Sequence, residues 1–124
     1  MSLFDLPTEI TEFDSADEPV VVVNHEGVVV LFNPHAEKLF EVDADDIIGE
    51  YVEMLVPDGL QWGHQAYRRG YIAEPSDREM DPGLEPHLQR PDGTRIPIAV
   101  RLEPRRVDGQ LYTAAHVHPR DTGS

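Results

Sequence analysis

PVVVVNHEGVVVLFNPHAEKLF, residues 19–40, decides the fold. Residues 20–24 are a β-branched run that reads as a buried strand. His25-Glu26-Gly27 supplies turn residues, and residues 28–32 form a second apolar run, so the two read as a hairpin. Asn33 is a favoured N-cap and Pro34 a favoured first helical residue. Ala36, Leu39 and Phe40 then fall at helical spacing.

Outward from this block the chain alternates short elements with clear punctuation. Residues 43–49 (DADDIIG) read as a capped helical turn closed by Gly49. Residues 52–55 are a further short helical piece stopped by Pro57. Residues 59–73 (GLQWGHQAYRRGYIA) have the length of a full helix, with Leu60, His64, Tyr67 and Tyr71 on one side. Gly63 and Gly70 weaken that helix locally. Residues 74–82 are expected as a loop and 84–89 as a strand, which Pro86 confines to an edge or a bulge. After the Arg90-Pro91-Asp92-Gly93 turn, Ile96, Ile98, Val100 and Leu102 alternate strictly, placing Pro97, Ala99 and Arg101 on the other face. Residues 107–110 are a turn and 111–117 the last strand. Such an antiparallel sheet needs one face covered, and the intervening helices are the available cover.

Three segments carry a family resemblance: VVVVNHEGVVVLFNPHAEKLF (20–40), DADDIIGEYVEMLVP (43–57) and QRPDGTRIPIAVRLEP (89–104). Together they resemble the PAS family. The resemblance implies an α+β fold, a five-stranded antiparallel sheet with short helices packed on one face. The domain is expected over residues 19–118, with a flanking helix in 1–18 and a tail in 119–124. It further implies a pocket between sheet and long helix, holding haem, flavin, a small organic molecule or side chains alone. The implied role is that of a sensory input domain of a larger sensor kinase or transcriptional regulator, not an enzyme.

The segment LVPDGLQWGHQAYRRGY (55–71) is similar to the helix of the haem-PAS oxygen-sensor kinases, whose haem-ligating His would be His64 here, with Tyr67 three residues on. Where those sensors carry arginines around bound gas, this chain has Leu84 and Gly70. The pocket candidates are therefore His64, Tyr67, Leu84, Ile96, Ile98 and Val100, with His64 as the iron ligand in the haem alternative. A small apolar ligand and a ligand-free interaction module are the other readings. A flavin adduct of the light-sensing kind needs a Cys, and the chain has none.

Composition bounds the rest. Against 24 acidic residues stand 10 basic ones, a formal charge of −14. That field disfavours nucleic acid and anionic bilayers. Lys38 is the single lysine, a pattern shared by proteins of high-salt cytoplasm. No apolar run approaches the roughly 20 residues of a membrane span, no leader peptide is recognisable, and a cytoplasmic location is expected. No phosphate-binding glycine loop or nucleophile elbow occurs. His116 and His118 share one strand face, a weak metal pattern that reads first as solvated. Arg68-Arg69 and Arg105-Arg106 read as solvated charges, and Trp62 as a packing residue. In residues 3–18, Leu3, Phe4, Leu6, Ile10 and Phe13 give a sticky side, with Asp5 or Thr8 as cap, suited to pairing two copies as a homodimer.

Overall fold

Two valine-rich strands joined by a tight turn form one side of the sheet. The computed structural model describes residues 6–57, 61–80 and 86–120, with only the backbone of 61–63. In it β1 (Val20–Asn24) pairs antiparallel with β2 (Val29–Phe32). The turn is built by Asn24, whose Oδ1 accepts from the N–H groups of Glu26 and Val28 at 2.9 and 3.0 Å. Gly27 completes it at φ 84°, where a Cβ would be strained. A register shift between Val22 and Val23 marks a bulge.

Asn33 does more than cap the next helix. Its Oδ1 accepts from Ala36 N at 2.9 Å, starting α2 (Pro34–Phe40). The same oxygen accepts from Val20 N at 3.0 Å, and Nδ2 donates to the carbonyls of Phe13 and Glu18 at 3.2 and 2.8 Å. One fully buried side chain thus ties a helix start, a strand start and the N-terminal segment together. Then follow α3 (Ala44–Ile47), a 3-10 turn (Val52–Leu55) and α4 (Gln61–Ala73). The expected start of α4 at 59, and Leu60, lie outside the described residues.

The sheet has six strands among the described residues, not five, in the order β2-β1-β6-β5-β3, with β4 also on β5. The extra one is β3 (Arg78–Glu79), inside the expected 74–82 loop, pairing with Leu102 and Arg101. Two residues of exposed, charged sequence carry no period, so nothing local announces this strand. β4 (His87–Gln89) begins after Pro86, shorter than the expected 84–89; Leu84 lies outside the described residues. Pro86 has no N–H to give, but its carbonyl accepts from Ile98 N at 3.0 Å. β5 (Arg95–Val107) and β6 (Gln110–Pro119) outrun their expected ends and pair with each other from Ile98–Pro119 to Val107–Gln110.

The sheet has a core on each face. Phe32, Phe40, Ile47, Leu55, Leu88 and Ile98 belong to the one beneath the helices. On the opposite face α1 (Thr8–Thr11) and a 3-10 turn (Glu12–Ser15) lay Ile10 and Phe13 against Val20, Val22, Leu31 and Tyr112. The helices are therefore not all on one face. The sticky side expected to pair two copies is spent at Ile10, 0% exposed, and Phe13, 6%, on its own sheet. Burying two such side chains is worth about 3–6 kcal/mol in all. Arg105, at 4.2 Å over the Phe13 ring, also ion-pairs with Glu12 and Glu103. It is a clamp on this segment, not the solvated charge expected.

Candidate functional site

Side chains of α4, β1, β5 and β6 border a space that they do not fill. A cavity of about 250 Å³ remains. Apolar groups from Val21, Phe40, Leu55, Leu88, Ile98 and Val100 make much of its wall, and Met80 closes another side. His64 and His87 bring the polar side chains that the described residues contribute to it. A smaller space of about 70 Å³ continues along α4 past Tyr67 and shares His64.

The expected pocket residues thus separate. His64, Ile98 and Val100 line the larger cavity; Tyr67 lines only the smaller one. Ile96 lines neither and packs, half-buried, against the helix-side core. Leu84 lies outside the described residues, as does the side chain of Trp62. Met80, Leu55 and Phe40 were not anticipated as wall. Met80 sits in a stretch without periodicity, so no sequence signal marks it; Phe40 was visible as the apolar stripe of α2.

His64 is held by a carboxylate, not by the carbonyl a packed histidine commonly finds. Its Nδ1 lies 2.7 Å from Glu53 Oε2. Arg68, one turn further along α4, donates to the same carboxylate from Nε at 3.1 Å and Nη2 at 3.0 Å. Glu53 itself is 7% exposed. Burial pushes its carboxyl up, but the hydrogen bonds and charges of His64 and Arg68 outweigh that and hold it below the ordinary carboxylate range. Arg68 is accordingly a buried partner and not a solvated charge, its side chain 13% exposed. Its Nη1 reaches on to the carbonyl of Glu26 at 3.1 Å, and its guanidinium lies where a Cβ on Gly27 would stand. The group thus runs unbroken from the cavity to the β1–β2 turn.

A second ionic cluster lies on the other face. His116, expected to be solvated, is buried, with Nδ1 2.5 Å from Glu18 and Nε2 3.0 Å from Glu103. His118 is exposed and comes within 3.8 Å of Glu18. Both histidines contact carboxylates; among the described residues no group of three or more His, Asp or Glu is arranged to hold a metal ion. No helix among them is long and apolar enough to cross a membrane.

The comparisons agree with this architecture. The oxygen sensor protein DosP of Escherichia coli (strain K12) is 31% identical over 97 residues, which is 78% of this chain and 12% of that protein. The sensor protein FixL of Bradyrhizobium diazoefficiens is 25% identical over 100 residues, 81% of this chain and 20% of that protein. The chain therefore spans a minor part of either relative's length. Among solved structures, the PAS domain of a protein from Colwellia psychrerythraea superposes with a TM-score of 0.72 at 16% identity, covering 93% of this chain and 96% of that one. The model of the PAS fold matches residues 11–115. With that match running from the end of α1 into β6, the chain belongs to the PAS family.

Proposed function

We propose that this chain is the input domain of a larger signalling protein and reads a small, largely apolar molecule held between α4 and β5. The observation that carries the reading is the apolar cavity of about 250 Å³ with one imidazole fixed at its edge by a buried carboxylate. A cavity this large in a core otherwise packed densely forfeits contacts that an occupant would restore. The likeness to DosP and FixL supports a sensory role and an effector, such as a histidine kinase or a transcriptional regulator, acting with a paired copy of the domain. Signal leaves the cavity along His64, Glu53 and Arg68 to the turn at Gly27.

Haem at His64 is the rival reading, favoured by DosP being an oxygen sensor and by the Glu53 bond, which makes the imidazole a better ligand. The cavity formed by the described residues is small for it. Ligand pockets run from about 300 to 1,000 Å³, and a porphyrin belongs in the upper part of that range, whereas this cavity is about 250 Å³. Its described wall offers no Lys or Arg for the propionates.

Native mass spectrometry and absorption of the purified chain test the proposal. A non-covalent adduct of a few hundred daltons at most, displaced in Val100→Phe, is the expected result. A Soret band that His64→Ala abolishes would replace it with haem. A bare chain that no small molecule stabilises against heat would leave an interaction module with an empty core.

A further inference from the structure

The hydrogen bonding of His64 narrows what the cavity takes. Glu53 is held ionised between two donors, and an ionised carboxylate only accepts. The Nδ1 atom 2.7 Å from it therefore carries a ring proton, which in the neutral imidazole leaves the lone pair on Nε2. Among the described residues Nε2 has no hydrogen-bond partner. Yet among the described residues no buried polar side-chain atom lacks a partner, so Nε2 opens on accessible space. The His64 ring, its side chain 23% exposed, borders both spaces between α4 and the sheet.

Resting on the ligand-binding reading above, we propose that the cavity selects an uncharged organic molecule of one or two rings whose O–H or N–H donates to Nε2 of His64. Size, charge and polarity each restrict the choice. An apolar cavity of about 150 Å³ suffices for benzene, so about 250 Å³ admits a second ring or a substituent. A carboxylate ligand would lose its hydration among side chains that are mostly apolar. A cation would find Glu53 already engaged by His64 and Arg68. A molecule without a donor would cover Nε2 and leave it dry and unpaired, a loss corresponding to about tenfold or more in affinity.

Titration calorimetry with matched probes tests this on the unaltered chain. Indole and phenol are expected to bind at least about tenfold tighter than 1-methylindole and anisole, and benzoate not to bind. Long-range 1H–15N spectra should show His64 protonated at Nδ1 and bare at Nε2, with the Nε2 resonance moving on indole addition. In His64→Phe the donor preference should vanish. Equal affinity for the methylated and unmethylated probes would overturn the donor rule while leaving the cavity reading standing. Tighter binding of benzoate would overturn the charge rule in the same way. Failure of every probe to bind folded protein would overturn both. The methylated pair decides the question without any variant, so a misfolded His64→Phe leaves the test intact.

Discussion

Glu53 is the residue on which the site turns, because three functions meet in one carboxylate. It orients His64, neutralises Arg68 and anchors the 3-10 turn that walls the cavity. Its folded pKa lies below the unfolded value of 4.5. The folded state thus binds that proton less readily than the unfolded one, so the stabilisation is complete above pH 4.5 and is lost as pH falls through the folded value. Glu103 behaves alike: burial raises it, and bonds from His116 and Arg105 more than offset this. Glu53→Gln should therefore lose about 2–4 kcal/mol at neutral pH, since Arg68 is left with an uncompensated buried charge. Its acid limb should flatten but not disappear, because Glu103 still titrates. Urea midpoints from pH 3 to 7 check both; a variant whose acid limb matches the parent's would remove Glu53 from this role.

At the scale of elements, the β1–β2 turn and α4 are locked by one guanidinium. A Cβ on Gly27 would lie 2.3 Å from Arg68 Cζ, and φ there is 84°. Gly27→Ala should cost about 1–2 kcal/mol of backbone strain and also push Arg68 off Glu53. With Arg68→Ala already in place, only the strain should remain. A double-mutant cycle should therefore give a coupling of about 1 kcal/mol or more, and strict additivity would mean that the turn and the helix are independent. The N-terminal segment offers a second case. Phe13 is 6% exposed on its own sheet and stacks edge-on against His116 at 5.8 Å. Phe13→Ala is expected to destabilise by about 3 kcal/mol without changing the sedimenting mass; a change in mass would assign Phe13 to a contact between copies.

For the whole molecule the dominant quantity is the charge of −14. Carboxylates spaced over the surface of so small a body repel one another beyond their local ion pairs. Salt shortens that reach, the screening length falling from about 10 Å at 0.1 M to about 3 Å at 1 M. The melting temperature is expected to climb steeply between 0.1 and 2 M KCl. The buried Glu53–Arg68 pair is screened far less and should not reverse the trend. A salt-independent melting curve would show that the acidic surface is tolerated without cost.

The β1–β2 hairpin, β5 and the Asn33 cap were legible in the sequence because their causes are local, whereas neither Thr8, which lies inside α1, nor Asp43 caps its helix through its side chain. Alternation from Ile96 to Leu102, the Gly27 turn and the Asn33-Pro34 start each rest on a few adjacent residues. So did the family resemblance and the choice of His64. The partners of His64 were not legible. Glu53 stands 11 residues away and Arg68 pairs with it across 15, within a chain of 24 acidic residues where any pairing is as plausible as the next. Where residues 6–16 settle was equally hidden, since Ile10 and Phe13 suit a partner helix and the bare side of the sheet alike. Their own sheet won because it was already at hand within the same chain. The sequence by itself determined a β-rich sensor domain with a histidine on its longest helix. Only the tertiary structure decided that this histidine borders an apolar space with Glu53 against its Nδ1, because that requires a carboxylate from another element to arrive within hydrogen-bond reach.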